Sequence, residues 1–166
     1  MDVMRLPHMK SILVLAAATI LAGCETTRFG QSAPEPAVAP EIPATIAATE
    51  VVGRWGFAAY QRPDDRARTE AAARKGCRNA YVINPGPSGG VIMHLADETQ
   101  PQELRLKGGP GGKNYIGPDG PGGGEKDREI ISFDGRVMVM RFIDPDAATR
   151  YGTSVYVRCA PTAASR

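Results

Sequence analysis

The stretch that decides the fold is residues 128–143, "REIISFDGRVMVMRFI". Two runs of alternating apolar residues flank Asp134-Gly135, a dipeptide favoured in two-residue hairpin turns because both members tolerate positive φ. Alternation with period two places residues i, i+2 and i+4 on one face of a strand. Read outward from the turn, it assigns Ile131, Phe133, Met138, Met140 and Phe142 to one face. Ile130, Val137 and Val139 share the other, so the hairpin is expected to be covered on both sides.

The neighbouring segments extend this pattern. "ELRLK" (103–107) puts Leu104 and Leu106 on one face, with Glu103, Arg105 and Lys107 on the other. "YGTSVYVRC" (151–159) lines up Tyr151, Thr153, Val155, Val157 and Cys159. "VVGRWGFAAY" (51–60), "AYVI" (80–83) and "GVIMHLA" (90–96) read as further strands. One segment departs from period two. "RPDDRARTEAAARKGC" (62–77) begins with Pro63 and two aspartates and ends with Arg74, Lys75 and Gly76. Carboxylates at the positive end of a helix dipole, cations at the negative end and a terminal glycine able to turn left-handed are helix boundary signals. Glu70 has helical spacing to both Arg66 and Arg74, and the apolar side is alanine alone, which suits a helix laid on a sheet. The expected class is α+β and mainly antiparallel β: about seven strands, as a sheet or small barrel, with one helix packed on it.

Upstream lies a different kind of sequence. Arg5 and Lys10 precede the apolar run 12–23, "ILVLAAATILAG", which is shorter than the ~20 residues a membrane-spanning helix needs and matches the core of an export signal. It ends in "LAGC" (21–24), followed by Glu25. This segment resembles the lipobox of bacterial lipoproteins. The resemblance implies that residues 1–23 are removed and that Cys24 receives a diacylglycerol and an N-acyl chain, its only cofactor-like groups. Two or more acyl chains anchor stably where one does not. Because Glu25 is not the aspartate that retains such proteins in the inner membrane, the resemblance also implies the outer membrane, at its periplasmic face or the cell surface. A start at Met9 would give a compact leader of the same kind.

Residues 24–50 carry Pro34, Pro36, Pro40 and Pro43 among small residues without apolar periodicity, the composition of an extended, disordered tether. Residues 51–160 then form one domain and 161–166 a disordered tail. The domain contains Cys77 and Cys159, an even number in an exported chain, for which a structural disulfide is the default.

Chemistry-bearing motifs are scarce. The glycine-rich run "KGGPGGKNYIGPDGPGGGEKDRE" (107–129) misses the P-loop spacing, has Lys113 where a calcium-binding repeat needs aspartate, and breaks the collagen period at "KNYI". It reads as a long loop joining two strands, and such loops are often functional. Tyr115 and Ile116 are expected exposed at its tip, flanked by Lys107, Lys113, Asp119, Glu125 and Lys126; Lys113, Asn114, Tyr115 and Ile116 are the candidate binding residues. His94 is the single histidine of the domain, with no nucleophile or second metal ligand in a recognisable motif, so neither a catalytic nor a metal site is expected. The net charge of +2 is spread along the chain and forms no basic stripe, which argues against nucleic acid.

Gly53 and Trp55 in "VGRW" make a G-x-W that resembles, over those few residues, the lipocalins and the small β-barrel inhibitors of secreted metalloproteases. That resemblance implies a carrier of a small apolar ligand or a protease inhibitor as alternatives. The principal expectation is a non-catalytic lipoprotein domain that binds another protein of the envelope.

Overall fold

The period-two segments curl into one closed wall. β1 (Gly53–Tyr60), β2 (Tyr81–Pro85), β3 (Val91–Met93), β4 (Gln102–Gly109), β5 (Lys113–Gly117), β6 (Arg128–Phe133), β7 (Val137–Phe142) and β8 (Thr153–Arg158) form an eight-stranded barrel in chain order. Every pairing is antiparallel. Closure comes from β1 and β8, paired from Trp55↔Arg158 to Tyr60↔Thr153. The computed structural model describes residues 41–161. The leader, Cys24, the first part of the tether and the tail after Pro161 lie outside the described residues. The antiparallel β-rich expectation holds, in its barrel form, with α1 (Ala48–Val51), α2 (Arg66–Gly76) and α3 (Pro145–Tyr151) where one helix was expected.

Trp55, Met93, Leu104, Ile116 and Met138 are fully buried and fill the barrel interior. The hairpin β6–β7 is covered on both sides, but its faces differ from simple alternation. Ile130 pairs with Met140 and Ser132 with Val139, which leaves Ile131 as the extra residue of a β-bulge. One extra residue inverts the alternation on its far side. Ile130 therefore joins the core and Ile131 turns outward, 49% exposed. The turn is also displaced by one residue. Asp134 N donates to Val137 O at 3.3 Å, so Gly135 and Arg136 are its central pair, with Gly135 at φ 81°.

Helix α2 lies on the outside of β1 and β8, where Ala73 packs with Val155 and Val157. Pro63–Asp65 form a single 3-10 turn before it, and Glu70 pairs with Arg74 as expected, whereas Arg66 reaches Ser132 Oγ at 3.4 Å. Gly76 is right-handed helical (φ −62°) and does not supply a left-handed cap. Its lack of a side chain serves proximity instead: a Cβ there would press on Phe57 N, and one on Gly56 would fall inside the carbonyl of Ala73. The helix thus rests on bare backbone. Cys77, just beyond α2, is bonded to Cys159, just beyond β8. The face shared by Val155, Val157 and Cys159 is the outer one, under the helix, and not the barrel interior.

The domain begins before residue 51. Residues 41–50, expected in the tether, lie across one end of the barrel as a plug. Gly108 N donates to Ile42 O at 2.8 Å, Thr45 N donates to Asn114 Oδ1 at 2.8 Å, and Ile46 and Ala48 pack against the core. Val51 is fully buried and its carbonyl accepts from Trp55 Nε1 at 2.8 Å. Those bonds satisfy groups that a disordered segment would leave to water.

Candidate functional site

The residues expected at a loop tip are part of the barrel wall. Lys113–Gly117 is β5, paired with β4 and β6, and Asn114, Tyr115 and Ile116 are buried. Ile116 points into the core and Asn114 binds the plug. Tyr115 lies on the outer face in a slot made by glycines: a Cβ on Gly109 or Gly122 would collide with its ring. Small residues on both sides of "KNYI" suggested an open loop, but here glycine makes room for an aromatic side chain. Of the four, only Lys113 is exposed, and it pairs with Glu129 at 3.1 Å. The group does not form an exposed binding surface.

The true β5–β6 loop, residues 118–127, folds back over the wall. Asp127, 1% exposed, fastens it: Oδ2 accepts from Gly123 N and Gly124 N at 2.9 and 3.0 Å, and Oδ1 accepts from Lys107 Nζ at 2.6 Å. Lys107 Nζ also donates to Pro118 O at 2.8 Å. Lys107, expected to flank an exposed loop tip, is therefore buried by its own loop. A buried ion pair with each charge hydrogen-bonded further fixes geometry.

A candidate site lies at the end of the barrel opposite the plug. There the core stops short and leaves an open cavity of about 310 Å³. Its floor is aromatic. Phe57 and Tyr156 face each other across the β1–β8 pairing with ring centroids 5.0 Å apart, and Tyr81 meets Tyr156 edge-on at 5.9 Å. Phe57 is 47% exposed although it points the same way as buried Trp55, because it lies two residues nearer the mouth. Burial pushes the Tyr156 hydroxyl up to about 12, so it stays protonated at all physiological pH.

Two polar groups stand on this floor. Tyr81 Oη lies 3.2 Å from His94 Nδ1 and accepts from His94 N at 3.2 Å. Arg128, 6% exposed, holds its guanidinium 4.7 Å above the Phe142 ring and donates through Nη2 to His94 O. At the rim Asp97 accepts from Arg150 Nη2 at 2.5 Å and from the Tyr151 hydroxyl. The Tyr151 hydrogen bond, ahead of Arg150, holds its carboxyl below the usual range. The arrangement can hold a flat apolar group against aromatic faces, with a cation at one wall. Among the described residues the only nucleophilic hydroxyl lining the cavity besides its tyrosines is Ser154, and no three His, Cys, Asp or Glu side chains converge as metal ligands do.

Sequence reading passed over Phe57, Tyr81, Arg128 and Tyr156. The first was legible, since alternation in "GRWGF" puts Phe57 on the face of Trp55. Arg128 was not: its inward direction follows from the bulge at Ile131, which only the pairing with β7 reveals. Comparison with known proteins returns no match to this chain from family models, curated proteins or solved structures.

Proposed function

We propose that this chain is a bacterial outer-membrane lipoprotein, held by lipid on Cys24, whose barrel is a non-catalytic binding module that takes a small apolar group in its mouth. The observation that carries the reading is the aromatic cavity, which lies at the small end of the usual range for ligand sites, roughly 300–1,000 Å³. The filled interior supports a shallow site in place of the deep cup of a carrier barrel. The partner reading moves with the site: the glycine-rich segment is occupied by its own packing, so an envelope protein would have to enter through the mouth.

The test uses two positions of equal exposure. Phe57 lines the mouth and Val82 lies on a strand outside it, each 47% exposed. A photoreactive phenylalanine analogue is placed at each in the native envelope, and adducts are weighed by mass spectrometry. A discrete adduct at 57 and none at 82 supports the reading, and its mass separates small molecule from protein. No adduct at 57, or the same adducts at both, defeats it. The anchor is tested separately: Cys24→Ser is expected to move the protein from the membrane to the soluble fraction with its fold intact.

A further inference from the structure

The mouth contains a charge that no described carboxylate neutralises. Arg128 is buried, yet among the described residues no carboxylate forms an ion pair with it. Its sequence neighbours are committed elsewhere, Asp127 to Lys107 and Glu129 to Lys113. The two acids of the rim do not supply the partner: Asp97 is taken by Arg150 and Tyr151, and Glu98 is exposed. A guanidinium has five N–H donors in a planar fork, and among the described residues its acceptor here is His94 O. The Phe142 ring covers one face of the fork, and both residues line the cavity.

Burying an unpaired charge is costly, and the planar fork matches a carboxylate bidentately. We propose that the mouth binds a small planar carboxylate, its apolar body against Phe57, Tyr81 and Tyr156 and its anionic group on Arg128. This rests on the mouth being the binding site and adds the chemical class of what enters. The body is planar because the floor is made of rings, and small because the cavity holds about 310 Å³.

The experiment compares 2-naphthoate with its neutral isostere 2-naphthamide by titration calorimetry on the full-length chain in nanodiscs of neutral lipid, with empty nanodiscs subtracted. A charge-assisted contact predicts that naphthoate binds at least about tenfold more tightly. In Arg128→Gln that preference should collapse while naphthamide binding stays within about threefold, and Arg128→Lys, which keeps the charge but not the fork, should fall between. Circular dichroism checks that each variant is folded; if the glutamine variant is not, the wild-type ratio and the lysine variant decide. Equal binding of the two probes to wild type overturns the carboxylate proposal and leaves the mouth as an apolar site. A preference that survives in Arg128→Gln overturns it also. Binding of neither probe overturns both the proposal and the reading beneath it.

Discussion

The two ends of the barrel carry the same motif in opposite states. At the plugged end the Arg158 guanidinium lies 4.2 Å over the Trp55 ring and donates to three carbonyls: Gly135 O at 2.6 Å, Val52 O at 3.1 Å and Glu50 O. At the mouth the Arg128 guanidinium lies 4.7 Å over Phe142 and donates to one. The first arginine is consumed in joining the plug, β1 and the β6–β7 turn. The second retains donor capacity beside a cavity. An arginine met by three carbonyls ties parts of the fold together, whereas one met by a single carbonyl keeps donors free for another acceptor.

That contrast can be broken, and the largest effects should fall at the plugged end. The Cys77–Cys159 bond spans 82 residues and ties α2 to the end of β8. Cys77→Ser should lower stability by up to about 4.5 kcal/mol in urea unfolding, the chain-entropy figure for such a loop. A loss below about 1 kcal/mol would mean that the unfolded chain is not loosened by removing it. Next, Trp55→Ala should cost about 3–5 kcal/mol, whereas Phe57→Ala, on the same strand and face, should cost under about 1 kcal/mol. Equal losses would erase the distinction between a packed end and an open one.

The arginines sharpen it further. Arg158→Met leaves three carbonyls without their donor and should cost about 2–3 kcal/mol. Arg128→Gln removes an uncompensated buried charge, so stability should be unchanged within about 1 kcal/mol or should rise. A loss at Arg128 as large as that at Arg158 would make both structural. The smallest effect concerns pH. Asp134 accepts from Val137 N at 2.6 Å and Arg136 N at 2.8 Å, bonds that hold its carboxyl below the usual range. A group whose folded pKa is depressed stabilises above its unfolded value near 3.8 and loses that contribution as pH falls through the folded one. Melting temperatures followed from pH 5 to pH 2 should therefore drop less in Asp134→Asn than in wild type. Identical slopes would remove the turn's carboxylate from the acid response.

Much of this was legible in the sequence, and the misses have physical causes. Period two located seven of the eight strands and missed β5, the even cysteine count pointed to the disulfide, and the charged ends of "RPDDRARTEAAARKGC" marked α2. Helix α3 was missed although Asp144-Pro145 signals it: the Asp144 carboxylate accepts from Asp146 N and Ala147 N, and proline occupies the first helical position. Tyr151, read as the start of the last strand, is the end of that helix. Glycine misled twice, at Gly76 and around Tyr115, because composition cannot distinguish a glycine that frees the backbone from one that admits a neighbour. The mouth was hidden for another reason. It depends on which strand ends lie side by side once the wall closes, and a single bulge at Ile131 changes which side chains face in.

The pairing of β1 with β8 also sets the timetable of folding. Every other pairing joins strands adjacent in the chain and can form as each arrives. The seam joins Gly53–Tyr60 to Thr153–Arg158, the last strand to emerge during synthesis. Until then two strand edges stand unpaired, open to other chains. The barrel has no finished intermediate that stops short of its last strand, and a chain cut before residue 153 should be captured by chaperones or aggregate, not fold in part.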